Sequence, residues 1–117
     1  MDTKEKNIVK IKIALCIYKL VQERKMISVQ KDTPSFQAHK SVTSLRKLAS
    51  ASGIDYSIIQ KIGSGKRNPT LSTLVSICQG FEIQTSDFFL MFDKITVMEI
   101  EAMSLTIKNQ KKGKRKI

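Results

Sequence analysis

Residues 43–70 constrain the fold more than any other part of the chain, because they read as a helix, a glycine turn, a second helix and a glycine-rich basic loop. Gly53 can adopt the left-handed backbone conformation that reverses a chain after a helix. The small side chain of Ala49 lets two helices cross closely. Three isoleucines are placed to pack the second helix against the first, and they are Ile54, Ile59 and Ile62. Few other helical arrangements require all of these features in so short a segment.

The composition indicates one domain and an acidic partner. The 117 residues, 41% of them hydrophobic, suffice for one modest helical core. The 21 Lys and Arg against 10 Asp and Glu give a net charge of +11, so the expected partner is a polyanion, with nucleic acid ahead of an acidic membrane surface. Lys12 and Lys19 interrupt the most apolar stretch, 11–21, which argues against a membrane span and a signal peptide. A cytoplasmic location is therefore expected.

Helical periodicity continues on both sides of this segment. A first helix is predicted over 7–27, with a polar, solvated end at 22–25, and a surface loop over 28–41. The predicted N-caps of the first four helices are Asn7, Thr43, Asp55 and Thr70. Gly80 is predicted to end the fourth helix, and a short fifth helix over 85–92 carries three aromatic side chains for the core: Phe88, Phe89 and Phe92.

A last helix is predicted to begin at Thr96, which forms a capping box with Glu99. Its apolar strip is either a dimer interface or packs back on the protein's own core, and it consists of Val97, Ile100, Met103 and Ile107. The basic run that follows is too charged to fold alone.

The sequence contains no pattern typical of an enzyme or a metal site. Cys16 and Cys78 stand alone within apolar helical patterns and are predicted to be reduced core residues. His39 has no Cys, Asp or Glu at a useful spacing. Residues 63–66, Gly-Ser-Gly-Lys, are too short for a nucleotide loop and follow a helix instead of a strand. No catalysis, cofactor or metal is expected.

Several of these residues together resemble the helix-turn-helix domain of phage-repressor-like regulators, the Cro/C1-type or Xre family. The matching positions are Leu48-Ala49, Gly53-Ile54, Ile59, Ile62, Gly65-Lys66-x-Asn68-Pro69, Leu71 and Leu74. The resemblance covers roughly residues 8–90, and it implies five helices with the third in the DNA major groove. The predicted fold is all-α: a helix-turn-helix domain over 1–92 with an inserted loop at 28–41, a C-terminal helix over 93–110, and a disordered basic tail over 111–117.

The 3.6-residue period predicts the surface of the third helix that reads bases. If Ile59 and Ile62 face the core, the outward face carries the candidate base-contacting residues Tyr56, Ser57, Gln60 and Lys61. Gln can bond bidentately to adenine and Lys to the O6/N7 edge of guanine. The candidate phosphate contacts are Thr43, Ser44, Lys66, Arg67, Asn68 and Thr70. Arg46 and Lys47 either assist these contacts or belong to a solvated helix face.

These predictions favour sequence-specific binding of double-stranded DNA by a homodimeric transcriptional regulator, most simply a steric repressor. One alternative is an antitoxin that binds a toxin protein and autoregulates its own promoter. Another is a binder of RNA or of polyanions in general, which would act through charge alone and show a steep salt dependence.

Overall fold

The computed structural model describes the backbone of residues 1–30 and 42–115 and the side chains of 1–27 and 42–108. Within these ranges the chain forms six helices and no strand, which confirms the all-α prediction. The helices are α1 (Thr3–Gln30), α2 (Leu45–Ser52), α3 (Tyr56–Gly63), α4 (Leu71–Phe81), α5 (Thr85–Lys94) and α6 (Val97–Arg115).

The core lies where α1 meets the short helices α2 to α5. α2 packs against α3 and α4, whereas α1 packs against α3, α5 and α6. The largest fully buried side chains come from five of the helices and are Ile17, Leu48, Ile59, Ile62, Ile77, Phe81 and Phe88, with both thiols beside them. The predicted burial of Ile59, Ile62 and both cysteines is therefore confirmed, while Ile54 is half-buried.

The first helix is longer at both ends than its apolar pattern predicts. It begins at Thr3, where the Oδ1 of Asp2 accepts a hydrogen bond from the Glu5 N–H at 2.8 Å, so Asp2 and not Asn7 supplies the cap. Residues 28–30 are helical, so the predicted loop begins too early; residues 31–41 and His39 lie outside the described part of the chain. Long polar side chains are good helix formers, so a polar stretch in the sequence does not by itself show where a helix ends.

Arg24 does not belong to a purely solvated helix end. Its Nη2 donates to the carbonyl oxygen of Phe81 at 2.8 Å, and Phe81 is the last residue of α4. A cation at a helix C-terminus satisfies a carbonyl without an intrahelical partner and complements the helix dipole. This contact ties α1 to the end of α4.

The turn after α2 forms as predicted, but Gly80 has another role. Gly53 has φ +73° and donates its N–H to the Ala49 carbonyl, which ends α2. α4 continues past Gly80 to Phe81 and is terminated by Glu82, which has φ 60°. A Cβ on Gly80 would lie 3.3 Å from the backbone nitrogen of Ser52, so this glycine allows α4 to approach α2 closely.

α6 folds back on the protein's own body. The predicted capping box is confirmed, since Glu99 accepts from the Thr96 N–H at 3.2 Å and Thr96 accepts from the Glu99 N–H at 3.2 Å. Lys19 of α1 forms a 2.6 Å ion pair with Glu99. A Cβ on Gly65 would lie 3.2 Å from Ile107 Cδ1 and 3.7 Å from Met103 Cε. The apolar strip is thus used internally, except for Val97, which is 68% exposed.

Two further expectations about the C-terminal half require correction. Only Phe88 of the three phenylalanines on α5 is fully buried; Phe89 is exposed, and Phe92 is half-buried with Lys12 Nζ 4.1 Å from its ring centroid. The backbone of α6 is helical to Arg115, so the helix extends beyond 110 and includes most of the tail predicted to be disordered. Lys and Arg have high helix propensity, and a basic run can therefore continue a helix that tertiary contacts have already started.

Candidate nucleic-acid interface

The solvent face of α3 carries three of the four predicted base-contacting residues. Ile59 and Ile62 are 0% exposed, which fixes the rotation of the helix about its axis. Ser57, Gln60 and Lys61 consequently lie on the exposed side. An exposed helix face with an amide, a hydroxyl and an ammonium group has the donors and acceptors needed to contact base edges in a major groove.

Tyr56, the fourth of these residues, lies at the boundary between this face and the core. Its ring is half-buried and packs against the core cluster. The guanidinium carbon of Arg46 lies 4.3 Å from the ring centroid, which is the geometry of a cation–π contact. The ring face is therefore occupied by Arg46, because the first residue of α3 lies beside the first turn of α2. This is the largest difference between the expected and observed surroundings of a candidate site residue.

Thr43 and Ser44 lie at the start of α2, close in sequence to the cations Arg46 and Lys47. Ser44, and not the predicted Thr43, is the N-cap: its backbone is extended and its Oγ accepts from the Lys47 N–H at 3.1 Å. Thr43 Oγ1 instead accepts from Lys47 Nζ at 3.1 Å. The Ser44 hydroxyl keeps its own proton as a donor. Ser and Thr have similar capping preferences, so the sequence alone did not decide between neighbouring residues.

The loop between α3 and α4 presents Lys66 and Arg67 to solvent. Gly65, at φ +78°, turns the chain into this loop and contacts α6 on its inner side. Thr70 caps α4 as predicted, accepting from the Thr73 N–H at 3.2 Å. At the third predicted cap, Asp55 precedes α3 but its side chain makes no capping hydrogen bond.

Asn68 is the least exposed of the predicted phosphate contacts in this loop. The residue is half-buried, and its Oδ1 is buried without a hydrogen-bond partner among the described residues. An unpaired buried acceptor is costly, so this side chain has an unmet hydrogen-bonding requirement beside the exposed cations.

A groove between α1 and the start of α2 adjoins this surface. It has a volume of about 420 Å³ and is bordered by Tyr18, Gln22 and Lys25 of α1, by the N-cap Ser44 and by Arg46 at the start of α2, and by Tyr56 of α3. The α1 residues were not among the predicted contacts, although their spacing of four and three residues places them on one helix face. Tyr18 is 59% exposed.

The described residues contain no group of three or more His, Cys, Asp or Glu placed to hold a metal ion. Burial raises the pKa of the Cys16 thiol to about 11, and burial followed by the charge of Asp87 raises the pKa of Cys78. Both thiols are therefore protonated and unreactive near neutral pH. No helix in the described ranges has the length and apolar character required to cross a membrane.

Comparison with known proteins agrees with this geometry. Residues 35–94 match the family model described as the Cro/C1-type HTH DNA-binding domain, and they include α2, α3, the basic loop, α4 and α5. No curated protein and no solved structure gives a significant match. A matched segment that spans half of the chain, with α2 and α3 joined by a left-handed glycine, shows that this protein belongs to the Cro/C1-type helix-turn-helix DNA-binding family.

Proposed function

We propose that this protein is a sequence-specific transcriptional regulator that binds double-stranded DNA as a homodimer in the cytoplasm and represses by steric block, without catalysis or a cofactor. The observation that carries the proposal is the exposed trio Ser57, Gln60 and Lys61 on α3, next to the exposed cations Lys66 and Arg67. The family match makes DNA the partner, and this surface is the part of the domain with the chemistry to read it.

In the proposed complex α3 lies in the major groove, with Gln60 bonding adenine, Lys61 bonding guanine and Ser57 bonding either base. Tyr56 contributes through its ring edge or hydroxyl, because Arg46 covers a ring face. Phosphate contacts come from Thr43 and Ser44 at the start of α2 and, across the groove, from Lys66, Arg67, Asn68 and Thr70. These contacts position the protein but do not read sequence.

The proposed dimer uses the solvent face of α6, because the opposite face is already packed on α1 and Gly65. Met98 is 79% exposed and Leu105 is 62% exposed, with Ala102 between them on the same side of the helix. Glu101 and Lys108 flank one edge of this stripe. In an antiparallel pair Met98 of one copy would lie opposite Leu105 of the second, which favours a symmetric two-fold interface.

The test is selection of bound oligonucleotides from a random duplex pool at near-physiological salt. The wild type should enrich an inverted repeat with half-sites about 34–36 Å apart, one helical turn of DNA. Gln60→Ala and Lys61→Ala should each relax preference at one position by about 1–3 kcal/mol. Gln79→Ala and Lys6→Ala are matched controls, since Gln79 and Lys6 are exposed and lie outside the proposed interface.

Failure to enrich any motif, with binding that only weakens as salt rises, would contradict the proposal and favour a general polyanion binder. Enrichment of a single half-site in place of an inverted repeat would contradict only the dimer and would leave sequence-specific DNA binding standing.

A further inference from the structure

A second cavity lies between α1 and α6, beside the turn at Gly65 that leads into the basic loop. Its volume is about 260 Å³, and its lining residues are Asn7, Ile11, Gly65, Ser104, Ile107 and Lys108. The two α1 residues are four positions apart, and the α6 residues are spaced three and four positions from Ser104, so each set lies on one face of its helix. The cavity therefore has two helical walls, and the turn supplies a third.

α1 and α6 run antiparallel and are held together differently at their two ends. At one end Lys19 forms its 2.6 Å ion pair with Glu99. At the other end Asn7 and Lys108 border the same empty space. The atoms that line a void lack partners on one side and lose the dispersion attraction that a filled site would provide. A ligand that fills the cavity would therefore stabilise the packing of α6 on α1.

The cavity is apolar at its buried side and polar at its mouth. Ile11 is 8% exposed and Ile107 is half-buried. Asn7 and Lys108 are exposed, and half-buried Ser104 adds a hydroxyl. The described lining residues include no carboxylate, and no described carboxylate lies within ion-pair distance of Lys108. An ammonium, an amide and a hydroxyl without an acidic neighbour are suitable donors for a carboxylate ligand.

The volume limits the size of such a ligand. An apolar cavity of about 150 Å³ binds benzene, so about 260 Å³ accommodates roughly ten non-hydrogen atoms. Most of these atoms must be apolar, because the two isoleucines form the buried side. The class of molecule that fits is a small aromatic or aliphatic carboxylate.

The turn beside the cavity contacts both helices. A Cβ on Gly65 would lie 3.2 Å from Ile107 Cδ1 of α6 and 3.9 Å from Ala14 Cβ of α1. Gly65 is followed directly by the exposed cations Lys66 and Arg67. A shift of α6 relative to α1 therefore changes the position of the turn that carries these cations.

We propose that this cavity is an effector site for a small apolar carboxylate, whose carboxylate lies at Lys108 and whose body packs against Ile11 and Ile107. A bound ligand holds α1, α6 and the Gly65 turn in the arrangement described above. The effector role rests on the proposed function, in which the cations after the turn contact phosphates. The ligand is accordingly a co-repressor: it strengthens DNA binding, and DNA strengthens ligand binding by the same factor.

The first experiment measures ligand binding to the full chain without DNA. The probe is phenylacetate, and phenylacetamide is a neutral compound of the same size. Phenylacetate should bind with a Kd of about 0.1–1 mM, and phenylacetamide about tenfold more weakly. Ser104→Leu fills the cavity and should abolish binding of both compounds. Lys108→Gln should weaken the binding of phenylacetate but not that of phenylacetamide.

Two matched controls accompany these variants. Thr106→Leu enlarges an exposed side chain of α6 outside the cavity, and Lys94→Gln removes an exposed positive charge from α5. Both should bind phenylacetate as the wild type does. Circular dichroism verifies that each variant is folded.

The second experiment measures affinity for the DNA motif that the wild type selects, with and without saturating phenylacetate. Sodium chloride keeps the ionic strength equal, because DNA binding depends on salt. Phenylacetate should raise the DNA affinity of the wild type and of Thr106→Leu at least about fivefold. It should leave the DNA affinity of Ser104→Leu unchanged.

The outcomes separate this inference from the proposed function. Absence of saturable phenylacetate binding, or binding that persists in Ser104→Leu, would overturn the site. Binding in the cavity with unchanged or weaker DNA affinity would overturn the effector role. Both results leave the proposed function standing, because the motif is selected without ligand. Absence of any selected motif would overturn the proposed function and the effector role together, whereas the first experiment, which uses no DNA, still decides whether the site exists.

Discussion

Substitutions on the two faces of α6 should have opposite consequences. Ile100 lies on the inner face and packs against the core, whereas Leu105 lies on the outer face and is 62% exposed. Ile100→Glu removes apolar burial worth about 1–2 kcal/mol for a half-buried side chain and places a carboxylate against apolar neighbours. The expected total is a loss of about 2–4 kcal/mol of unfolding free energy, or roughly 10 °C in Tm.

Leu105→Glu is the matched control, because it introduces the same side chain on the same helix. An exposed substitution of this kind changes stability by about 0.5 kcal/mol or less. It should instead abolish the dimer, measured by size-exclusion chromatography with light scattering. Unfolding is compared by heat and urea at a concentration where both variants are monomeric, since dimerisation raises apparent stability. Equal stability of the two variants, with a folded monomer produced by Ile100→Glu, would refute the inward packing of this face.

Three further experiments test the fold at single positions. Gly53→Ala should lower the unfolding free energy, measured in urea, by about 1–2 kcal/mol. The cost comes from backbone strain alone, because φ at Gly53 is +73° and a Cβ there meets nothing within 4 Å. Gly53→Asn should cost less, and an Ala variant as stable as the wild type would exclude the left-handed cap. The hydrogen bond from Lys19, followed by that from the Thr96 N–H, lowers the pKa of Glu99 from its ordinary value of 4.5, so the stabilisation is present above that value and lost as the pH falls through the lowered pKa. The Tm difference between wild type and Glu99→Gln should therefore shrink in acid, and a constant difference would contradict the ion pair. Cys16, with burial raising its pKa to about 11, should react with a thiol reagent at mildly alkaline pH only as fast as the protein opens, so a labelling rate insensitive to denaturant would show that the thiol is accessible.

The sequence predicted the elements that are defined by local chemistry. Gly53, Thr70 and the Thr96–Glu99 capping box each act within four residues, and each is found as predicted. The outward face of α3 was also predictable, because two buried isoleucines are enough to fix its rotation.

The features that the sequence did not predict depend on contacts between distant residues. Arg24 is polar and looks solvated, but it bonds a carbonyl 57 positions away. Gly80 looked like a helix stop because its true role, a close approach to Ser52, depends on how α2 and α4 cross. The position of Tyr56 under Arg46 likewise depends on the angle between two helices, which periodicity within one helix does not contain.

The core of this protein crosses the boundary of its recognisable family segment. The matched residues begin at 35, yet α1 contributes five members of the buried cluster: Ile13, Cys16, Ile17, Leu20 and Val21. A protein that contained only the matched segment would lack α1. Ile59 and Ile62 of α3 would then be exposed to water, and the protein would aggregate instead of binding DNA. The smallest piece of this chain that can be grafted onto another protein therefore includes α1, and it extends at its other end to Ile107, whose side chain packs beside the Gly65 turn.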